Sequence, residues 1–288
     1  MTLLAFAFMR WAIAAGALSA LACGLIGPFV RVRRLAFLVG AVAHSALAGL
    51  GAAQYFGVSP DLGALPAAIL SALLIGWLDD RGRGQGQGHE DALIGAIWAV
   101  GMAIGILFIS RTPGYNVQLL SYLFGSILTA GPERLWLMGA GLAVVSGTLV
   151  VLWRPMVAVA LDREFAQLRG LPVAWLDRLL LVLIAIAVVL LIKVVGLILV
   201  LALLTLPAAV AAHWARSMAW MVAVATVASL VSVGVGMAVA IWLDWPAGPT
   251  MILAAASVFA FSMLVRSALV PQRVAHLSRQ EAAVETSV

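Results

Sequence analysis

Runs of about twenty consecutive apolar residues recur along the whole 288-residue chain. Nothing constrains its fold more, because a segment of that length and character is what crosses a bilayer as a helix. The runs fall at about 11 to 30, 35 to 56, 62 to 78, 92 to 110, 135 to 153, 219 to 243 and 249 to 266. The interval from about 175 to 213 holds two more, split by Lys193 and bounded by Arg178 and Arg216. At about 1.5 Å per residue it is two crossings long with almost no loop, so the sequence predicts helices that are short, broken or steeply packed. Gly196 and Pro207 are the expected break points. The fold class expected is all-α, a polytopic membrane protein of eight to nine crossings, with nine preferred.

The chain is 64% hydrophobic and 10% charged, with a mean hydropathy of +1.12, outside the range of water-soluble domains. Its net charge of +5 is spread between the apolar runs rather than gathered in a patch, which argues against a nucleic-acid partner. The 17 basic residues divide instead by loop. Arg31, Arg33, Arg34, Arg81, Arg83, Arg154, Arg163, Arg169, Arg178, Arg216, Arg266, Arg273 and Arg279 alternate with a set holding only Arg10, Arg111, Arg134 and Lys193. The positive-inside rule makes the larger set cytoplasmic, with the N-terminus outside and the C-terminus inside.

Three segments do not span. TPGYNVQLLSYLFGSILTA, from Thr112 to Ala130, is too polar at its start and is expected as an interfacial or re-entrant helix on the outer side. RGRGQGQGHED, from Arg81 to Asp91, reads as a flexible connector whose Glu90 and Asp91 suit the positive end of the next helix. Residues 267–288 form a short polar cytoplasmic tail after a transmembrane domain of residues 1–266. The single cysteine, Cys23, permits neither a disulfide framework nor a cysteine metal site within one chain.

Against this apolar background, LDREFAQLRGLPV, from Leu161 to Val173, stands out as a short amphipathic helix. Phe165, Leu168 and Leu171 can share one face while Asp162, Arg163, Glu164 and Arg169 stay in water, and Gly170-Leu171-Pro172 ends the helix. Such an element on the cytoplasmic side suits contact with a soluble partner. Within the spans, polar groups are few and each is costly unless satisfied. His44 lies about two turns into the second run; it is either a metal-binding imidazole or a neutral ring bonded to a backbone carbonyl or water. Lys193 snorkels toward the outer interface, and His213 and Arg216 anchor an inner helix end. Asp244 belongs to an outer turn among Trp242, Trp245 and Pro246. Gly101 and Gly105 form a small-xxx-small packing signal. There is no P-loop and no catalytic grouping, so the chain is not expected to be an enzyme.

Several segments together resemble the membrane permeases of bacterial zinc/manganese/iron-class ABC importers, the zinc-uptake permease most of all. They are GPFVRVRRLAFLVGAVAHSALAGLG from Gly27, DALIGAIWAVGMAIG from Asp91, LLSYLFGSIL from Leu119, LDREFAQLRGLPV from Leu161, KVVGLILVLALLTLPAAVAAHWARS from Lys193 and WPAGPTMILAAASVFAFSML from Trp245. The resemblance implies a homodimer in the bacterial cytoplasmic membrane, a separate cytoplasmic ATPase that binds ATP, and an extracytoplasmic metal-binding protein. It also implies an ATPase-coupling role for Leu161, Asp162, Glu164, Phe165, Ala166, Gly170 and Leu171. The cargo implied is a divalent transition metal, zinc first, with manganese or iron as the alternative.

Two departures bear on the cargo. Relatives commonly carry an aspartate one turn before the histidine that matches His44, and the pair is their implied metal contact; here that position is Gly40. Ser126 stands where zinc-type relatives can carry an acid. His44 is thus left as the candidate translocation contact without its carboxylate. A gradient-driven secondary transporter, the rival from another class, would want an acidic group inside the bundle, and no confident span offers one.

Overall fold

The computed structural model describes residues 7–82, 87–112, 125, 127 and 131–269. Their regular structure is entirely helical: α1 (Ala7–Val32), α2 (Ala36–Tyr55), α3 (Pro60–Gly82), α4 (Gln87–Ser110), α5 (Pro132–Val151), α6 (Trp153–Leu161), α7 (Arg163–Leu168), α8 (Val173–Val195), α9 (Leu197–Trp214), α10 (Met218–Leu243) and α11 (Ala247–Leu269). Among the described residues nine helices, all but α6 and α7, are long and apolar enough to cross a membrane. Each corresponds to one apolar run of the sequence.

The crowded interval divides at Gly196, whose φ of 86° is open to glycine and reverses the chain between α8 and α9 in a single residue. The expected short or broken helices are not found. With 23 and 18 residues, α8 and α9 are of full spanning length, and Pro207 lies inside α9 without ending it. The space was saved in the loop. The connector expected from Arg81 to Asp91 is also mostly helical, since α3 runs to Gly82 and α4 starts at Gln87, which places Glu90 and Asp91 at the head of α4. The expected outer helix between Thr112 and Ala130 lies, apart from its first residue, Gly125 and Ile127, outside the described residues, as do Ser126, the tail from residue 270 and the Lys193 side chain.

Two groups of helices pack together. In one, α2 is held between α3 and α4 with α8 behind it; in the other, α1, α9, α10 and α11 pack on one another, and α5 lies across α1 and α8. Lipid offers helices no hydrophobic reason to associate, so close approach through small residues has to do it. A methyl group on Gly49 would strike the carbonyl oxygen of Gly63, and one on Gly63 would strike that of Gly49. On the other flank, the Gly101 and Gly105 pair meets α2: a Cβ at Gly101 would lie 2.9 Å from the Ser45 Cα, and one at Gly105 3.0 Å from the Ala48 nitrogen. Small residues on both flanks therefore make α2 a buried helix, while α5 and α11 turn Trp136, Val150, Val151, Phe261 and Leu264 outward as a lipid-facing helix must.

Because the obstacle at Gly49 is backbone, it cannot turn aside. Gly49→Val is expected to cost about 1–3 kcal/mol by overpacking. Gly139→Ala, with nothing within 4 Å of the added carbon, should stay within about 0.5 kcal/mol of the parent. Thermal unfolding of the purified proteins in one detergent compares them.

Candidate functional site

His44 lies on the α2 face turned to α4. Its side chain is buried, and Nδ1 is 2.8 Å from the Gly40 carbonyl oxygen four residues earlier. A carbonyl only accepts, so Nδ1 carries the proton and Nε2 keeps its lone pair. The ring stacks on Trp98 of α4, with centroids 4.5 Å apart and planes 29° from parallel, and Trp98 reaches on to Phe37 at 5.4 Å. Any side chain on Gly40 would run into the Trp98 six-membered ring. The place where a carboxylate was missed is thus filled with indole. Among the described residues no three His, Cys, Asp or Glu side chains gather as a metal site. His213, near the end of α9, lies 3.4 Å from the Ser262 hydroxyl of α11, which also accepts from the Trp214 indole nitrogen at 2.9 Å. These bonds tie α9 to α11, in keeping with an anchoring role.

The segment from Leu161 to Val173 is not one helix. Leu161 ends α6, Asp162 is extended, and only Arg163–Leu168 is helical. Asp162 caps α7, its Oδ1 accepting from the Phe165 amide at 2.9 Å. At the other end Leu171 N–H donates to the Ala166 carbonyl around Gly170, whose φ is 75°, a Schellman stop. Leu161, Phe165 and Leu168 are exposed, and the Arg169 guanidinium sits 4.8 Å over the Phe165 ring. Leu168, at 88% exposure, is the most open apolar side chain of the segment. Two expectations change. Leu171 is half-buried against the core rather than on the outer face with Phe165 and Leu168. Ala166 is fully buried, so it can seat the helix but cannot touch a partner.

Arg163, expected in water, turns inward. It pairs with Asp177 in the second turn of α8, and the same carboxylate takes Arg33 at 2.8 Å. Arg33 also donates to the Val159 carbonyl of α6 at 3.2 Å. Asp177 is nearly buried, with 11% of its side chain exposed, and two guanidiniums compensate it. Removing a partner from such a group costs about 3–5 kcal/mol. Sequence reading passed over Asp177 because one carboxylate at the head of an apolar helix looks like a dipole cap; its partners lie 144 and 14 residues away.

Residues 5–266, nearly the whole chain, match the ABC 3 transport family. The chain belongs to that family. Among ABC 3 relatives, an uncharacterised membrane protein of Synechocystis is 41% identical over 91% of this chain and 92% of its own length. A manganese transport system membrane protein of Halalkalibacterium halodurans is 30% identical, covering 90% and 88%. The high-affinity zinc uptake system membrane protein ZnuB of Haemophilus influenzae is 28% identical, covering 90% and 97%. The solved structure of PsaBC from Streptococcus pneumoniae in complex with Fab superposes with a TM-score of 0.80 at 25% identity, covering 89% of this chain and 91% of that one. The helical fold of this chain is thus shared with that solved structure over about nine tenths of both chains.

The indole at Trp98 decides what an acid at position 40 could do. Gly40→Asp alone should lower the melting temperature, and Trp98→Ala should open a cavity of its own. The double variant should recover at least about 1 kcal/mol relative to the sum of the two. Unfolding the four proteins of that cycle measures the coupling, and strict additivity would mean that Trp98 does not occupy the site.

Proposed function

We propose that the chain is the permease subunit of an ATP-driven importer that carries a divalent transition metal ion across the bacterial cytoplasmic membrane, with zinc the first candidate. The observation that carries this reading is full-length membership of the ABC 3 family, with relatives named for zinc and for manganese uptake. Two permeases form the working unit in this reading. An extracytoplasmic binding protein delivers the ion and a separate ATPase hydrolyses ATP; bond chemistry stays on that partner.

The arginine-rich end faces the cytoplasm, with the N-terminus outside and the C-terminus inside. There α7 offers the ATPase a short, capped helix whose Phe165 and Leu168 are exposed beside Glu164, a small apolar knob within a charged rim. Leu161, Asp162 and Gly170 shape the segment around it, with Ala166 and Leu171 seating it.

His44 is the proposed contact along the route. The bond from Nδ1 to the Gly40 carbonyl leaves Nε2 as its ligating atom, and a nitrogen donor suits zinc better than manganese or iron. Because the ring is buried under Trp98, the ion reaches it only when α2 and α4 shift. The manganese alternative rests on the Halalkalibacterium halodurans relative, and competition between the two ions decides it.

Proteoliposomes holding the permease and its ATPase should take up radioactive zinc when ATP is supplied on the side of α7, and excess manganese should compete weakly. Uptake of manganese in preference would reassign the cargo, and uptake of neither would reject the function. Leu168→Glu should reduce ATPase co-purification at least tenfold while leaving the permease folded, because it puts a charge at the centre of the knob. His44→Ala should lower zinc flux at least tenfold. A variant with parental flux and a lower melting temperature would make the imidazole a packing group.

A further inference from the structure

The Arg33–Asp177–Arg163 junction lies where the docking segment meets the bundle, and four elements converge on it. Arg163 is the first residue of α7, Asp177 belongs to α8, Arg33 stands in the turn between α1 and α2, and the Val159 carbonyl in the last turn of α6 takes the other end of Arg33. We propose that Asp177 is a positioning residue that carries displacement of α7 into α2, so that the ATPase-driven stroke reaches the helix bearing His44. This inference rests on the reading of α7 as the docking segment.

The geometry favours this route. Between α6 and α7 the backbone at Asp162 is extended, with φ −147° and ψ 107°, so α7 is jointed to α6 rather than continuous with it. Within α7 itself only Ala166 is fully buried, which gives six residues little apolar grip. A charge-assisted tie from its first residue supplies the lateral hold. On the far side of the carboxylate, the turn is stiff. Arg33 N–H bonds to the Phe29 carbonyl, Leu35 N–H bonds to the Val30 carbonyl, and Arg34 sits at a left-handed φ of 57°. A pull on Arg33 therefore moves the start of α2, three residues on. Since α2 meets α3 and α4 at close backbone contacts at Gly49, Gly63, Gly101 and Gly105, displacement of its start bears on how it packs against both neighbours. A cavity of about 50 Å³, lined in part by Arg33, Leu38, Gly76, Arg163 and Asp177, adjoins the junction and gives the guanidiniums room to reorient while remaining paired.

The decisive quantity is ions moved per ATP hydrolysed, because loss of folded protein lowers uptake and hydrolysis together and leaves their ratio unchanged. In proteoliposomes of permease and ATPase, Arg163→Met keeps the Arg33–Asp177 pair intact and should reduce the ratio at least tenfold. Arg163→Lys, which restores the charge, should recover at least a third of it, and Asp177→Asn should show the same loss as Arg163→Met. If Asp177→Asn does not fold, Arg163→Met decides alone. A parental ratio in Arg163→Met overturns the proposal. Should the parental complex hydrolyse ATP yet move no divalent metal, the reading of function is what fails. Spin labels at Gln167 and Phe37 then test the transmission. ATP should alter their separation less in the parent, where α2 follows α7, than in Arg163→Met, where α7 moves alone, and an equal change in both overturns the inference.

Discussion

Backbone contact between α2 and its two neighbours is the constraint on which the remaining structure depends. In hydrocarbon a leucine gains nothing by leaving lipid for protein, so helices stay together where their main chains come near enough for dispersion to accumulate. Gly49 and Gly63 allow this on one flank of α2, and Gly101 and Gly105 on the other. The consequence reaches the polar residues. With α4 drawn so close, the Trp98 indole lies along α2, over Gly40 and against the His44 ring.

That arrangement gives position 40 a meaning different from the one a motif comparison assigns. On the expectation that the resemblance raises, glycine is a lost ligand. Viewed in three dimensions, glycine is what admits the indole, and residues 40 and 98 form one unit. The imidazole is oriented by it twice, through the bond to the Gly40 carbonyl and through stacking on Trp98. One ring nitrogen is committed and the other faces away from that bond.

Much of the architecture was legible in the chain, because each span is encoded locally by about twenty apolar residues and needs no knowledge of its neighbours. Gly196 was legible as a break point, though not as the whole of the loop, and the stop at Gly170 was legible from its glycine. What escaped were relations between distant positions. Pro207 was read as a break, yet in a packed bundle the surrounding helices hold a proline-bearing segment straight enough to remain one helix. Arg163 looked solvated because helical periodicity within thirteen residues carries no information about a carboxylate on α8. The site was less legible than the fold. Ala166 was given a coupling role by the resemblance, with no hint of its burial; a six-residue helix has to bury something, and the smallest side chain lets it lie closest. Trp98 drew no notice at all, since an aromatic residue in an apolar span is commonplace.

The single-residue reversal between α8 and α9 also bears on how the protein enters its membrane. Val195 ends one helix and Leu197 begins the next, so a spanning pair of 23 and 18 residues has no hydrophilic loop to carry across. Apart from Lys193, no Asp, Glu, Lys or Arg lies between Arg178 and Arg216 in the sequence. The two segments are therefore suited to enter the membrane in direct succession, each then packing against a different group of helices. The backbone carbonyls around Gly196 are then shielded by Gly125, which packs against Val195 and Gly196 at the tip. Biogenesis of this half of the bundle is thereby tied to the geometry of one glycine.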